Sequence, residues 1–146
     1  MTDPNDLIVA ELDSNILSLA VKNSNRSTIK SFKTGAVIFD KHLNVQSVGT
    51  SHFPYGFTVG EKRSVHAEDD ALDKISWIKD KTDLSILIYT LNWSGTNHAT
   101  SSRPCVGCAE RLLRADLRHV FYLERDNAGS WLLNREKPAR IVKRSR

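Results

Sequence analysis

The chain has little cysteine and no long hydrophobic run, which excludes two common ways of stabilising or anchoring a protein. Cys105 and Cys108 are the only cysteines among 146 residues. Two cysteines three positions apart make a poor disulfide framework, so we interpret them as metal ligands in a reducing cytoplasm. No apolar run approaches the ~20 residues of a membrane span, and no charged-then-apolar signal peptide opens the chain. We therefore expect a cytoplasmic protein without a membrane anchor.

The remaining composition is that of one small globular protein. Hydrophobic residues make up 40% of the chain and charged residues 26%, which are ordinary values. A chain of 146 residues is also long enough to bury a proper core. We expect a single domain over residues 1–136, followed by a basic tail over residues 137–146.

Basic side chains are concentrated towards the C-terminus. Residues 1–102 carry 10 basic and 12 acidic side chains, whereas residues 103–146 carry 11 and 5. One interpretation is a solvated basic surface that ends in a frayed tail, and the composition by itself favours it. The other is attraction for phosphate, on a nucleotide or on a nucleic acid backbone.

Helical and strand patterns alternate along the chain. The predicted order is a helix (3–25), two strands (32–39 and 45–49), a helix (66–75), a strand (84–91), a helix (104–115) and two strands (119–123 and 131–133). A polar loop is expected over residues 92–103. This order is typical of an α/β fold in which helices cover both faces of a sheet.

Two short motifs carry the chemistry. His66-Ala67-Glu68 supplies an imidazole and a carboxylate, and Pro104-Cys105-Val106-Gly107-Cys108 supplies two thiols. One imidazole and two thiols suit a tetrahedral zinc whose fourth position stays open for water, since a structural site would be closed by a fourth Cys or His. A redox Cys-x-x-Cys pair is the rival interpretation, but it would not need the upstream motif.

Both motifs are expected to open a helix. Pro104 is well tolerated in a first turn, which would make Cys105 and Cys108 i, i+3 neighbours about 5–6 Å apart. The positive end of that helix favours the thiolate form. Glu68 can lie beside the metal without binding it, and we predict that it moves protons. Taken singly, His66 is more often a cap or a surface residue, and Glu68 a favourable charge at a helix start.

Together the motifs resemble those of the cytidine and deoxycytidylate deaminase superfamily. Residues 66–72 (HAEDDAL) are similar to its H-A-E-x-N-A-[LI] motif, and residues 104–109 (PCVGCA) to its P-C-x-x-C-A motif. The resemblance implies a three-layer α/β/α sandwich with a mixed central sheet of about five strands. It also implies Zn²⁺ held by His66, Cys105 and Cys108. Because deaminases of this superfamily often pair, a homo-oligomer is expected.

The resemblance further implies a reaction. Water activated by zinc attacks the amino-bearing ring carbon of a base, Glu68 transfers the protons and ammonia leaves. The backbone N–H of Ala67 is expected to bind the substrate carbonyl or the developing oxyanion. His52, Trp93 and Arg103 are the predicted substrate side chains, stacking on the base or meeting a phosphate. The alternatives are aromatic packing over the core and a salt bridge of Arg103.

Three departures from the superfamily pattern predict a diverged substrate. Its members usually place an Asn after the second strand to hold the sugar, where this chain has Thr50-Ser51-His52. Asp70 stands where Asn is common. Residues 92–103 form an insertion before the second motif.

The last predicted strand bears on substrate size. The turn at residues 126–129 followed by Trp131-Leu132-Leu133 predicts a hairpin. In the superfamily a hairpin there is typical of free-nucleoside deaminases, and a parallel strand of nucleic acid deaminases. We therefore predict a deaminase of a free cytosine-type nucleoside or nucleotide. The basic C-terminal third favours the alternative, editing of cytosine or adenine in single-stranded DNA or RNA. A non-catalytic zinc-binding protein is a third hypothesis, which the intact Glu68 disfavours.

Overall fold

The computed structural model describes residues 15–27, 32–52, 66–92, 98–100, 104, 106–125 and 131–144. Within these residues the chain forms four helices and six strands. In chain order they are α1 (Ile16–Asn25), β1 (Phe32–Phe39), β2 (Val45–Thr50), α2 (Ala67–Asp73), β3 (Ser85–Asn92), β4 (His98–Thr100), α3 (Val106–Arg114), β5 (His119–Arg125), β6 (Trp131–Glu136) and α4 (Pro138–Arg144). The predicted start of the first helix, at residues 3–5, lies outside the described residues. Among the described residues, no helix is both long and apolar enough to cross a membrane.

The strands form one mixed sheet in the order β2-β1-β3-β5-β6. β3 and β5 are parallel, with α3 as the crossover between them, and the other neighbours in this order are antiparallel. The short β4 pairs with the end of β3, at Thr90–Asn92. The predicted mixed sheet of about five strands is therefore confirmed, with β4 as an addition.

Helices cover both faces of the sheet. Because side chains alternate along a strand, successive residues of β1 belong to different layers. Ala36 and Ile38 lie in a buried cluster with side chains of α2, α3 and α4. Val37 and Phe39 lie in a second cluster with Ile16 of α1. This arrangement is the predicted three-layer α/β/α sandwich.

Two glycines let helices lie directly on the sheet. A Cβ atom at Gly35 would be 2.2 Å from the backbone oxygen of Ala20 in α1, and one at Gly49 would be 2.1 Å from that of Ala67 in α2. Side-chain atoms do not approach a backbone that closely, so both positions need glycine. Gly49 therefore fixes where α2 begins, and with it the first sequence motif.

The C-terminal segment is a helix and not a frayed tail. Pro138 occupies the first position of α4, where a missing N–H costs nothing. Ile141 is completely buried and Val142 is 6% exposed, both in the cluster that contains residues of α3. Two adjacent apolar side chains are sufficient to attach the helix, which corrects the tail predicted from residue 137.

The segment predicted as a polar loop over residues 92–103 contains a strand. β4 forms there because the last residues of β3 extend beyond its pairing with β5, which ends at Ile88. Backbone N–H and C=O groups need hydrogen-bond partners, and β4 supplies them to Thr90–Asn92.

Candidate active site

The first motif stands at the start of α2. His66 has an extended backbone, with φ −76° and ψ 149°, and its carbonyl oxygen accepts the backbone N–H of Asp70 at 3.0 Å. The His66 side chain makes no capping hydrogen bond to the helix. His66 therefore occupies the N-cap position without capping the helix through its side chain, and the imidazole is directed elsewhere.

The imidazole meets a cysteine of the second motif. His66 Nδ1 lies 2.9 Å from Cys108 Sγ, within hydrogen-bonding distance. Cys108 is completely buried on α3, whereas His66 is partly exposed to solvent. Two side chains 42 positions apart in sequence thus converge because α2 and α3 lie side by side on the same face of the sheet.

A carboxylate completes this cluster. Glu68 is only 5% exposed. One ligand atom from each of His66, Glu68 and Cys108 lies within 4.8 Å of those of the other two. Burial of a carboxylate is costly without compensation, so the position of Glu68 next to two soft ligands is the most informative feature of the site.

The donor set fits zinc. An imidazole nitrogen and a thiolate sulfur are the ligands that zinc prefers, and the close approach of Nδ1 to Sγ lets both reach one ion. Cys105 lies outside the described residues, as do Trp93 and Arg103, so the structure brings together His66, Glu68 and Cys108 of the predicted set. Ala67 is the first residue of α2 and is completely buried beside them.

An ion pair joins the two motif helices. Arg111 of α3 donates from Nη1 to Asp69 Oδ2 of α2 at 2.6 Å. Asp69 stands three residues after His66, and Arg111 stands three residues after Cys108. The Arg111 side chain is 52% exposed, so the pair lies at the solvent edge of the two helices. Nothing in a single sequence indicates that an acid of another helix lies opposite, although the matching offsets from the two motifs are a weak signal.

Asp70 connects α2 to the end of β2. Its Oδ2 accepts the backbone N–H of Thr50 at 3.0 Å and lies 3.2 Å from Lys74 Nζ. An Asn at this position would offer the same kind of acceptor oxygen to Thr50. The contact with Thr50 therefore does not by itself require an aspartate.

Thr50, Ser51 and His52, at the end of β2 and just after it, all form hydrogen bonds within the protein. The Thr50 hydroxyl donates to the Asn23 carbonyl, and the Ser51 hydroxyl accepts the Thr34 N–H at 3.0 Å. Both hydroxyls thus have contacts within the protein. His52 is half-buried, and its Nδ1 lies 2.8 Å from the Thr50 carbonyl oxygen. Because a carbonyl oxygen can only accept, Nδ1 donates in this hydrogen bond.

Comparison with known proteins agrees with this geometry. Residues 10–124 match the family described as the cytidine and deoxycytidylate deaminase zinc-binding region. The chain is similar to the dCMP deaminase of the cyanophage S-TIM5, in its apo form and in complex with dCMP and dUMP. Identity is 18% and 17%, each alignment covers 92% of both chains, and the TM-score is 0.63 for both.

A cytidine deaminase from Burkholderia pseudomallei is also similar. It is 13% identical over 85% of this chain and 91% of that one, with a TM-score of 0.60. At such identities the solved structures establish the fold alone. No curated protein sequence matches the chain significantly. The family match spans most of the chain, and its zinc-binding character agrees with the cluster of His66, Glu68 and Cys108. The chain therefore belongs to the cytidine and deoxycytidylate deaminase family and is a zinc-dependent hydrolytic enzyme.

Proposed function

We propose that the chain deaminates a free cytosine-type nucleoside or nucleotide. The observation that carries this proposal is the buried Glu68 carboxylate within 4.8 Å of a zinc-type ligand pair. A purely structural zinc site has no use for a buried carboxylate that is not needed as a ligand, whereas hydrolysis needs a group that moves protons. The hypothesis of a non-catalytic zinc protein leaves Glu68 unexplained.

His66 and Cys108 would hold the metal, and we propose Cys105 as the third protein ligand. When bound at such a site, zinc lowers the pKa of a water molecule and makes it a nucleophile at neutral pH. Three protein ligands leave one position for that chemistry.

Glu68 would transfer both protons of the water. Its carboxylate takes the first proton as the water oxygen bonds to the amino-bearing ring carbon, and delivers it to the adjacent ring nitrogen. It then carries the second proton to the amino group. The carbon–nitrogen bond breaks, ammonia leaves and the ring keeps a carbonyl oxygen. Because Glu68 is almost fully buried, solvent water does not compete with these transfers.

Two further groups would orient the substrate. The Ala67 N–H, at the first position of α2, has no acceptor within the helix and suits a substrate carbonyl or a developing oxyanion. His52 Nε2 would accept a hydrogen bond from a sugar hydroxyl. His52 would then replace the Asn that family members carry after the second strand. Trp93 and Arg103 remain predicted substrate contacts.

Two observations support a free substrate. β5 and β6 form an antiparallel hairpin, Val120 pairing with Glu136 and Arg125 with Trp131, as in free-nucleoside deaminases. The cyanophage dCMP deaminase with the same fold was solved with dCMP and dUMP. A cytoplasmic location remains a prediction from the spacing of the two cysteines, and a homo-oligomer remains a prediction from the family.

Ammonia release from zinc-loaded protein tests the proposal. The panel contains cytidine, deoxycytidine, their monophosphates, adenosine, guanine and single-stranded oligonucleotides, with the Glu68→Ala variant as the blank. We expect turnover of at least one free cytosine compound and none with the variant. Turnover confined to oligonucleotides would transfer the assignment to nucleic acid editing. Equal ammonia release by the Glu68→Ala variant would refute the mechanism.

A further inference from the structure

A cavity lies near the β6 edge of the sheet. It has a volume of about 670 Å³ and opens between the start of β5, the end of β6 and α4. Its charged and polar lining consists of His119, Arg135, Glu136, Lys137, Arg140 and Lys143. The volume is within the range of small-molecule sites, about 300–1,000 Å³.

This cavity is separate from the zinc cluster. In a parallel β-α-β unit the crossover helix runs antiparallel to its strands, so the end of α3 lies near the start of β5. Cys108 is in the first turn of α3, whereas His119 is the first residue of β5, paired with Ser85 at the start of β3. Arg114, at the end of α3, stands six residues after Cys108, so the rise of the helix alone separates the two sites by ~9 Å.

The cavity is strongly cationic. Four of its lining side chains are Lys or Arg and one is acidic. That acid, Glu136, already accepts the Tyr122 hydroxyl at 2.6 Å on Oε2, and its Oε1 lies 4.0 Å from Arg140 Nε. Its negative charge is thus partly compensated within the protein, and the net field of the cavity is positive.

A histidine in the cavity wall has a strongly lowered pKa. The pKa of His119 is lowered to about 4, mainly by burial and then by the charges of Arg135, Arg118 and Lys137. Burial and the neighbouring cations both disfavour the charged imidazole. An anion in the cavity would oppose the part that the cations contribute.

Three of the cations lie on or just before α4, and the fourth lies on β6. Lys137 precedes α4, and Arg140 and Lys143 follow at intervals of three residues, which places successive side chains ~4.5 Å apart along the helix axis. Arg135 comes from β6. Charges at several points around one concave volume suit a ligand with more than one negative group.

We propose that this cavity binds adjacent phosphate groups, which makes it a second ligand site remote from the zinc centre. Both the polyphosphate chain of a nucleotide and a nucleic acid backbone supply such groups. The site is independent of the deaminase reaction. It gives a role to basic side chains of the C-terminal third, which the chemistry at Glu68 does not need.

Titration of the full-length, zinc-loaded protein with inorganic tripolyphosphate tests the proposal. The variant is Lys137→Gln/Lys143→Gln, which leaves the pair of Arg140 and Glu136 in place. The matched control is Lys22→Gln/Lys79→Gln, which removes the same charge from exposed positions outside the cavity. Calorimetry gives the affinity, and the NMR titration of His119 reports the local charge.

We expect saturable binding that is at least about tenfold weaker in the cavity variant and nearly unchanged in the control. Binding should raise the pKa of His119, and deaminase turnover should be unaffected by the cavity variant. A second arm with oligothymidylate identifies the source: loss of its binding in the cavity variant alone shows that a nucleic acid backbone also uses the site. Equal affinity of both double variants for tripolyphosphate, or no binding by folded protein, overturns the proposal whatever the deaminase assay gives.

Discussion

Glu68 is the residue at which chemistry and stability conflict most clearly. A carboxylate that is 5% exposed loses its hydration, and the protein must compensate for that loss. Cys108 beside it is completely buried, as cysteines often are, and needs no such explanation. Since the two residues lie in one cluster, substitutions at each should separate proton transfer from metal retention.

Glu68→Gln should retain zinc and the fold but lose about 10²–10⁴-fold in turnover, because the amide has the same shape and cannot accept a proton. Cys108→Ser should lose most of its zinc and become less stable, because binding free energy at such a site is also folding free energy. Metal content by atomic emission and ammonia release measure the two effects. Full zinc occupancy in Cys108→Ser would remove Cys108 from the ligand set.

At the scale of elements, the site depends on how closely α2 approaches the sheet. Gly49→Ala would place a methyl group 2.1 Å from the Ala67 oxygen, so α2 must move away from β2. We expect a loss of about 1–3 kcal/mol in the free energy of unfolding. Turnover should fall as well, because His66, Ala67 and Glu68 move with the helix.

The control for this prediction is Gly107→Ala. Apart from its chain neighbours and the backbone of its own helix, no atom of the described residues lies within 4 Å of a Cβ at Gly107, which is in α3. The greater helix propensity of Ala should stabilise this variant by up to about 1 kcal/mol. Urea denaturation measures both variants, and a Gly49→Ala protein as stable as the parent would mean that α2 does not depend on this contact.

The pair of Asp69 and Arg111 should hold the two motif helices in register. Arg111→Gln should cost less than about 1 kcal/mol in stability, because the Arg111 side chain is 52% exposed. If the pair positions His66 against Cys108, the variant should also lose zinc to a chelator up to about fivefold faster. Arg114→Gln, which removes an exposed pair within α3, is the control and should not change that rate. Rescue by the swapped pair Asp69→Arg/Arg111→Asp would confirm the contact, and unchanged chelation would reduce it to a surface ion pair.

Elements formed by local patterns could be predicted from the sequence, and those that depend on distant partners could not. β1 has the predicted bounds because its continuous apolar run, Ala36 to Phe39, is typical of a strand that is buried on both faces. β4 has three residues and exists only because the end of β3 offers it a partner. At the site, spacing identified His66, Glu68 and Cys108 as a group, but the contact of Arg111 with Asp69 needs the packing of two helices.

At the scale of the whole molecule, α4 is part of the core and not an appendage. Ile141→Ala should lower the free energy of unfolding by about 2–5 kcal/mol, because the side chain is completely buried between α3 and the sheet. Lys143→Ala on the exposed side of the same helix should change it by less than about 0.5 kcal/mol. Thermal and urea unfolding measure both. Equal stability of the two variants would mean that the segment is the tail that its basic composition predicts.

The separation of His66 and Cys108 by 42 positions has a consequence for the life of the protein in a cell. A shared metal closes a long loop and acts as a reversible cross-link between α2 and α3, which favours the native over the unfolded chain. Copies that lack metal open more often, and proteases cut the opened form. Zinc supply would then set how many molecules survive as well as how many are active, so that scarcity lowers the amount of the enzyme before any regulator acts on it.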